Sequence, residues 1–402
     1  MNFKYKLFAY IFNFFKVFSF KKEDVSFIMD KRDSFYGNLE YIKDEFDKRG
    51  DFNFNYLSKE EYSFDGSFMS KILGIFSILN FFLVKSYKLS KSKYIFLNDN
   101  FFPLAYMNSD ENTIIVQLWH ATGAFKRFGF AVIDDDNIKD LIKLSGANTD
   151  YVAVSSKNIS KDYEEAFAVE SNQILSLGVP KADCYFNEDF NNKKNISKIR
   201  KSFEDTYPEI RGKKIVIYAP TFRENPDLNR DISNNFDFEL FNKELGEDYV
   251  IFFRYHPKFQ VFEDNNESSS NRDESSSNHY ENYINVSNYP NINELLLISD
   301  ALITDYSSIM VEFVLLSKPI IFYPYDLDYY ITNERGFYFD YENVPGLIAK
   351  DTNDIVKTIK DSNFNEESNF DIKKISSFVN DNFDYLDDKS SKRIVDFLLS
   401  EK

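Results

Sequence analysis

A histidine, a hydroxyl, a glycine and two cations fall within eight residues in the run His120-Ala121-Thr122-Gly123-Ala124-Phe125-Lys126-Arg127. Imidazole titrates near neutral pH, so a histidine at a strand end can take the proton of an attacking hydroxyl. Three further runs carry related chemistry. Tyr218-Ala219-Pro220-Thr221-Phe222-Arg223-Glu224 offers a hydroxyl beside a guanidinium, and Phe253-Arg254-Tyr255-His256-Pro257-Lys258 sets an arginine two residues before a histidine. That pair can hold a diphosphate, the guanidinium through its planar fork and the imidazole through one donor. In the fourth, Ile303-Thr304-Asp305-Tyr306-Ser307-Ser308-Ile309-Met310-Val311-Glu312-Phe313, helix-period residues begin near Ile309. Ser307 and Ser308 then lie at a helix start, where hydroxyls and unpaired N–H groups collect anions. Taken singly, each run has a plain structural reading. His120 can pack beside the only tryptophan, Trp119, the arginines can form salt-bridged loops, the serines can be mere caps, and Glu312 can simply suit the helix dipole.

The elements that would position these residues are short apolar runs bounded by turn residues. They are Tyr94–Leu97, Thr113–Leu118, Tyr151–Val154, Ile215–Ala219, Val250–Phe253, Ala301–Thr304 and Ile320–Tyr323. Many are apolar on both faces and alternate with helix-period segments, which describes parallel sheets flanked by helices. Two such sets, one before about residue 190 and one after about residue 212, predict an α/β protein of two Rossmann-like lobes with parallel sheets facing across a cleft. The Asn-, Lys- and Asp-rich stretch 187–201 reads as a hinge. The expected division is 1–22 as a basic amphipathic helix, 23–200 as the N-terminal lobe and 201–402 as the C-terminal lobe. Ligands of such sheets sit beyond the carboxyl ends of the strands, where all four runs fall.

With 402 residues and 43% hydrophobic side chains the chain is large enough for two or three cores. A net charge of −17 argues against a general nucleic-acid binder, which needs a basic face to displace counterions. One cysteine, Cys184, excludes an internal disulfide and suits a reducing compartment, read as cytosol. Three histidines, His120, His256 and His279, are too few and too dispersed for a His-built metal centre, and no metal or cofactor is expected. Neither GxGxxG nor GxxxxGK[ST] occurs, so dinucleotide and P-loop readings fall, and GxSxG is missing too.

Residues 1–22 run against the global charge, with Lys4, Lys6, Lys16, Lys21 and Lys22 and no acid. Leu7, Ile11, Phe14 and Phe18 fall at helical spacing, so a helix here is amphipathic and basic, and either anchors on anionic lipid or docks on the core. The segment is too short and polar to span a bilayer, and no small-x-small cleavage site follows it. The apolar stretch 72–84, too short to cross a bilayer, reads as a buried helix, with a second membrane-contacting helix as the alternative. The polar run 263–282, containing His279, reads as a mobile loop.

In this order the four runs resemble the CDP-glycerol glycerophosphotransferase family of teichoic-acid-type polymer synthesis. The resemblance covers roughly 84–347. It includes Asn98-Asp99-Asn100-Phe101-Phe102-Pro103, Tyr325-Asp326-Leu327-Asp328-Tyr329-Tyr330 and Arg335-Gly336-Phe337-Tyr338-Phe339-Asp340-Tyr341-Glu342, with 300–346 its most specific part. It implies a GT-B-like fold and attack of an acceptor hydroxyl on the β-phosphorus of CDP-glycerol, releasing CMP. His120 would be the base; His256, Arg254 and Tyr255 would hold the diphosphate; Ser307 and Ser308 would wrap the phosphates; Glu312 would contact the nucleotide; and Pro220 and Thr221 would line the same site. The family's His-Gly-Thr-Pro stands here as His120-Ala121-Thr122-Gly123, so Thr122, Gly123 and Ala124 would shape the acceptor side. Its Gly-x-Pro-Arg-x-Asp stands as Gly178-Val179-Pro180-Lys181-Ala182-Asp183, and Lys181 would keep the charge on the nucleotide without the fork. Expected partners are CDP-glycerol, a lipid-linked or polymer acceptor and an anionic membrane surface at the cytoplasmic face. Alternatives are a ribitol-phosphate transferase using CDP-ribitol, a UDP-sugar glycosyltransferase of the same fold, and a non-catalytic pair of lobes that binds polymer or membrane.

Overall fold

A computed structural model describes residues 2–19, 23–30, 35–58, 77–108, 111–223, 225, 228, 235–255, 282–362 and 372–401. His256 and almost all of the 263–282 run lie outside them. The chain forms two compact units, one of residues 1–186 with 381–402 and the other of residues 187–380.

The first unit holds β1 (Asp24–Met29), β2 (Phe54–Ser58), β3 (Ser92–Leu97), β4 (Ile114–Gln117), β5 (Tyr151–Ala153) and β6 (Ile174–Leu175). They form a six-stranded sheet in the order β2-β1-β3-β4-β5-β6 with every pairing parallel. The sequence forces this burial, because β1 and β3 are apolar on both faces. Ile28, Ile95 and Leu97 enter a core on one side, and Val25, Phe27, Tyr94 and Phe96 enter a core on the other. Chain order reverses between β1 and β3, so the crevice at their carboxyl ends is where a ligand should sit.

The second unit holds β7 (Lys214–Ala219), β8 (Tyr249–Phe253), β9 (Tyr283–Asn285), β10 (Ala301–Thr304), β11 (Ile320–Phe322) and β12 (Leu347–Ile348). These form a second six-stranded parallel sheet, ordered β12-β11-β10-β7-β8-β9. Its reversal lies between β7 and β10. The seven expected strands match β3, β4, β5, β7, β8, β10 and β11 within a residue or two.

Two expectations about the division need correcting. The boundary at 200 cuts the helix Lys193–Thr206, which buries Ile199 and Phe203. Its apolar residues are spaced for a helix face, and the polar ones that suggested a hinge cover its outer side. The C-terminal residues do not stay with the second unit. The helix Ser390–Ser400 lays Ile394, Val395 and Leu398 against the β1 and β3 side chains of the first. Asp183 caps that helix, accepting from the backbone N–H groups of Ser390 and Ser391 at 3.0 Å each. Gly178, at φ +98°, passes so close that a Cβ would lie 2.2 Å from the Ser390 hydroxyl.

The N-terminal helix Asn2–Lys16 also joins the first unit, burying Phe8, Ala9 and Phe12 in its core. Of the stripe read at helical spacing, Leu7, Phe14 and Phe18 are exposed and Ile11 is half-buried, and Phe3 and Tyr10 beside it are 76% and 72% exposed. The helix is therefore docked by one face and apolar on the opposite one. Within 72–84, residues 72–76 lie outside the described residues. Of the rest, Phe81 and Phe82 are buried, whereas Leu79, Leu83 and Val84 are exposed. No helix among the described residues is long and apolar enough to cross a membrane.

Candidate functional site

The loop after β4 is built around Trp119, whose backbone takes φ +56°. A tryptophan in this left-handed region is strained and stays there only when its surroundings hold it. The Gln117 side chain accepts from the Trp119 N–H at 2.9 Å, and the Asn38 amide donates to the Leu118 and Trp119 carbonyls at 3.3 and 2.8 Å. The indole is packed between His120, at 4.1 Å between centroids, and Phe128, at 5.1 Å.

His120 is thereby presented at the carboxyl end of the sheet with much of its side chain exposed. Its Nδ1 lies 3.3 Å from the Asn98 carbonyl at the end of β3. A carbonyl only accepts, so this contact puts the proton on Nδ1 and leaves the Nε2 lone pair for a substrate. Desolvation by the surrounding protein lowers the His120 pKa below 6.5. The Asp99 and Asp30 carboxylates oppose this, and the Lys181 ammonium reinforces it. The ring is neutral at physiological pH, as a general base must be.

Lys181, near the start of the helical turn Pro180–Phe186 after β6, reaches this loop. Its N–H donates to Asn38 Oδ1 at 2.9 Å and its Nζ to the His120 carbonyl at 2.8 Å. Gly123 takes φ +70°, and its carbonyl accepts from the Tyr163 hydroxyl at 3.0 Å. Thr122 and Ala124 are buried, so neither offers its side chain to a ligand.

In the second unit the loops after β7 and β10 run side by side beyond the paired residues Ala219 and Thr304. Pro220 and Thr221 follow the first; Asp305, Tyr306, Ser307 and Ser308 follow the second. One Asp305 oxygen accepts from the Thr221 N–H at 2.8 Å and the Tyr306 N–H at 2.5 Å. Its other oxygen receives Arg223 at 2.9 Å. Ser308 is the N-cap residue of the helix Ile309–Phe313 without a side-chain cap bond, and Ser307 Oγ accepts from the Ile309 N–H at 3.4 Å. The helix is five residues long, so its dipole adds little and the two half-buried hydroxyls are the main polar groups offered. Glu312 is buried on that helix.

Arg254 follows β8. Its Nη1 is anchored on the Val286 and Tyr289 carbonyls at 2.7 and 2.5 Å, and burial lowers its pKa. Tyr255 is half-buried, its ring packed 4.0 Å from Phe253 and its N–H donating to Ser287 Oγ at 2.8 Å.

The structure thus groups His120 with Thr122, Gly123, Ala124 and Lys181 in the first unit, and Pro220 and Thr221 with Ser307, Ser308 and Glu312 in the second. Asn38, Asn98, Asp99, Asp305 and Asp326 were not among the expected site residues. Four of these were open to the strand-end rule, since Asn98, Asp99 and Asp305 directly follow β3 and β10, and Asp326 lies shortly after β11. Asn38 carries no local signal.

A family model described as CDP-Glycerol:Poly(glycerophosphate) glycerophosphotransferase matches residues 9–400. The chain is 35% identical over 395 residues to the teichoic acid poly(ribitol-phosphate) polymerase of Bacillus spizizenii, covering 97% of this chain and 58% of that protein. It is 34% identical over 325 residues to the teichoic acid glycerol-phosphate primase of Bacillus subtilis, covering 79% and 76% of the two chains. Its fold is similar to that of the wall teichoic acid polymerase TagF, with TM-score 0.74 at 24% identity over 100% and 95% of the chains. The TagF set includes a variant soaked with CDPG. With the two parallel sheets, the reach of these matches shows that the chain belongs to the CDP-glycerol:poly(glycerophosphate) glycerophosphotransferase family, enzymes of teichoic acid synthesis.

Proposed function

We propose that the chain transfers glycerol phosphate from CDP-glycerol to a hydroxyl of a lipid-linked or cell-surface polymer, releasing CMP. The observation that carries this reading is the His120 loop, in which the imidazole is held at a strand end with its Nδ1 on a carbonyl and its Nε2 left as the base. His120 takes the acceptor hydroxyl proton as that oxygen bonds to the β-phosphorus. The bond from that phosphorus to the bridging oxygen breaks, and CMP leaves with the electron pair. In phosphoryl transfer the protein mostly positions groups and neutralises charge. Thr221, Ser307 and Ser308 supply hydroxyls to the diphosphate, and Arg254 supplies charge. His256 is assigned to the same diphosphate from the motif alone. The test is CMP release by the purified chain from CDP-glycerol in the presence of a lipid-linked acceptor, and absence of release removes the reading.

A second reading, ribitol phosphate from CDP-ribitol, is favoured by one observation. The relative aligned over 97% of this chain is a poly(ribitol-phosphate) polymerase, whereas the glycerol-phosphate primase aligns over 79%. Rates with the two donors under identical conditions separate them.

The acceptor side implies a surface. The exposed stripe Phe3, Leu7, Tyr10 and Phe14 on a helix that carries lysines and no acids, with Phe18 exposed just after it, suits insertion into an anionic leaflet, with the protein peripheral at the cytoplasmic face of the membrane.

A further inference from the structure

We propose that Arg223 is the positioning residue of the donor site, clasping the loops after β7, β10 and β11 so that Thr221, Ser307 and Ser308 meet one diphosphate. The inference rests on the donor-site reading above and deepens it.

Arg223 is fully buried, which for an arginine demands a compensating structure. Nε and Nη2 each donate at 2.8 Å to Asp326, a fork-on-fork pair, while Nη2 also reaches Asp305 at 2.9 Å. Nη1 donates to the Thr221 carbonyl at 2.5 Å. The guanidinium carbon lies 4.9 Å from the Tyr306 ring centroid and 5.4 Å from those of Tyr325 and Tyr330. One side chain therefore joins three strand-end loops, one of them its own. Tyr306 closes the far side, its hydroxyl donating to Asp326 at 2.9 Å, and Tyr341 donates to the Asp305 carbonyl at 2.8 Å.

The clasp points at a ligand through Thr221. Its carbonyl is held by Arg223 and its N–H by Asp305, so the residue is fixed at both backbone groups. Among the described residues its buried hydroxyl nevertheless has no hydrogen-bond partner, and neither do the hydroxyls of Tyr218 and Tyr325 near the same guanidinium. Buried hydroxyls left unpaired cost stability, and three gathered near one guanidinium, from β7 and from the loops after β7 and β11, are not expected of a structure built only to fold. Ser307 and Ser308 follow Asp305 by two and three residues, so fixing Asp305 fixes them as well.

The experiment measures calorimetric binding of CDP to the full chain, donor and acceptor KM, and the melting temperature. It compares wild type with Arg223→Lys, which keeps the charge and loses the fork, and with Tyr306→Phe, which removes one hydroxyl from the clasp. Arg223→Lys should weaken CDP and raise the donor KM roughly tenfold or more, leaving the acceptor KM within about twofold. Tyr306→Phe should move the same quantities about threefold, and it decides alone if Arg223→Lys does not fold. Folded variants that bind CDP like wild type overturn the inference and leave the donor-site reading standing. Donor and acceptor KM rising together with a falling melting temperature overturn it too, since that is a structural role only. A wild-type chain that does not bind CDP overturns both.

Discussion

The chemistry proposed for His120 depends on a neutral ring, and its neighbours set that state. Its folded pKa lies below 6.5, lowered first by desolvation. As pH falls through 6.5 the unfolded chain takes the proton before the folded one, so the native state loses stability from there downward. The base stays competent over the same range, and the acid limb of the rate profile should fall below pH 6.5, a shift that a pH series of CMP release would reveal. His120→Ala should lower the rate by about 10² to 10⁴ while donor binding is unchanged. Asn38→Ala should act on the same step indirectly. Removing its amide leaves the Leu118 and Trp119 carbonyls and the Lys181 N–H without their partner, costing about 1–3 kcal/mol and lowering kcat more than donor affinity. His120 was legible in the sequence because residue type and strand-end position coincide. Asn38 was not, because its bonds reach 80, 81 and 143 residues along the chain. Arg223 was visible as a residue, but its acids lie 82 and 103 residues away, so its role was not.

At the scale of elements, periodicity told where strands lie but not which face of a helix is covered. The expected strands were those with continuous apolar runs. Among the described residues five strands were missed: β6, β9 and β12 are edge pieces of two or three residues whose pairing depends on a neighbouring strand, and β1 and β2 carry polar residues, Asp24 and Ser26 or Asn55 and Ser58, inside their runs. For the N-terminal helix both faces are apolar, and a hydrophobic pattern cannot rank two apolar faces. Replacing Phe3, Tyr10 and Phe14 by serine should leave the melting temperature within a few degrees, because these side chains are exposed. Binding to phosphatidylglycerol vesicles in a sedimentation assay should drop at least about tenfold, and added salt should weaken what remains. Asp183→Ala removes the cap of the Ser390–Ser400 helix and should destabilise the first unit by about 1–3 kcal/mol, read from denaturant unfolding.

At the scale of the whole molecule, two successive sheets were readable from two clusters of apolar runs, but the return of the C-terminal segment was not. Nothing in residues 390–400 says which sheet they cover; the partners that decide it, Asp183 and Leu177, lie more than 200 residues earlier. That return has a consequence for biosynthesis. On the ribosome, the stretch from 187 to 380 is contiguous and can close as soon as it emerges. The unit that holds residues 1–186 must wait with part of one flank of its sheet uncovered until residues 390–400 appear. Of the two units the earlier one is completed last, and the apolar side chains that Ile394, Val395 and Leu398 later cover form the surface that a nascent-chain chaperone would have to shield.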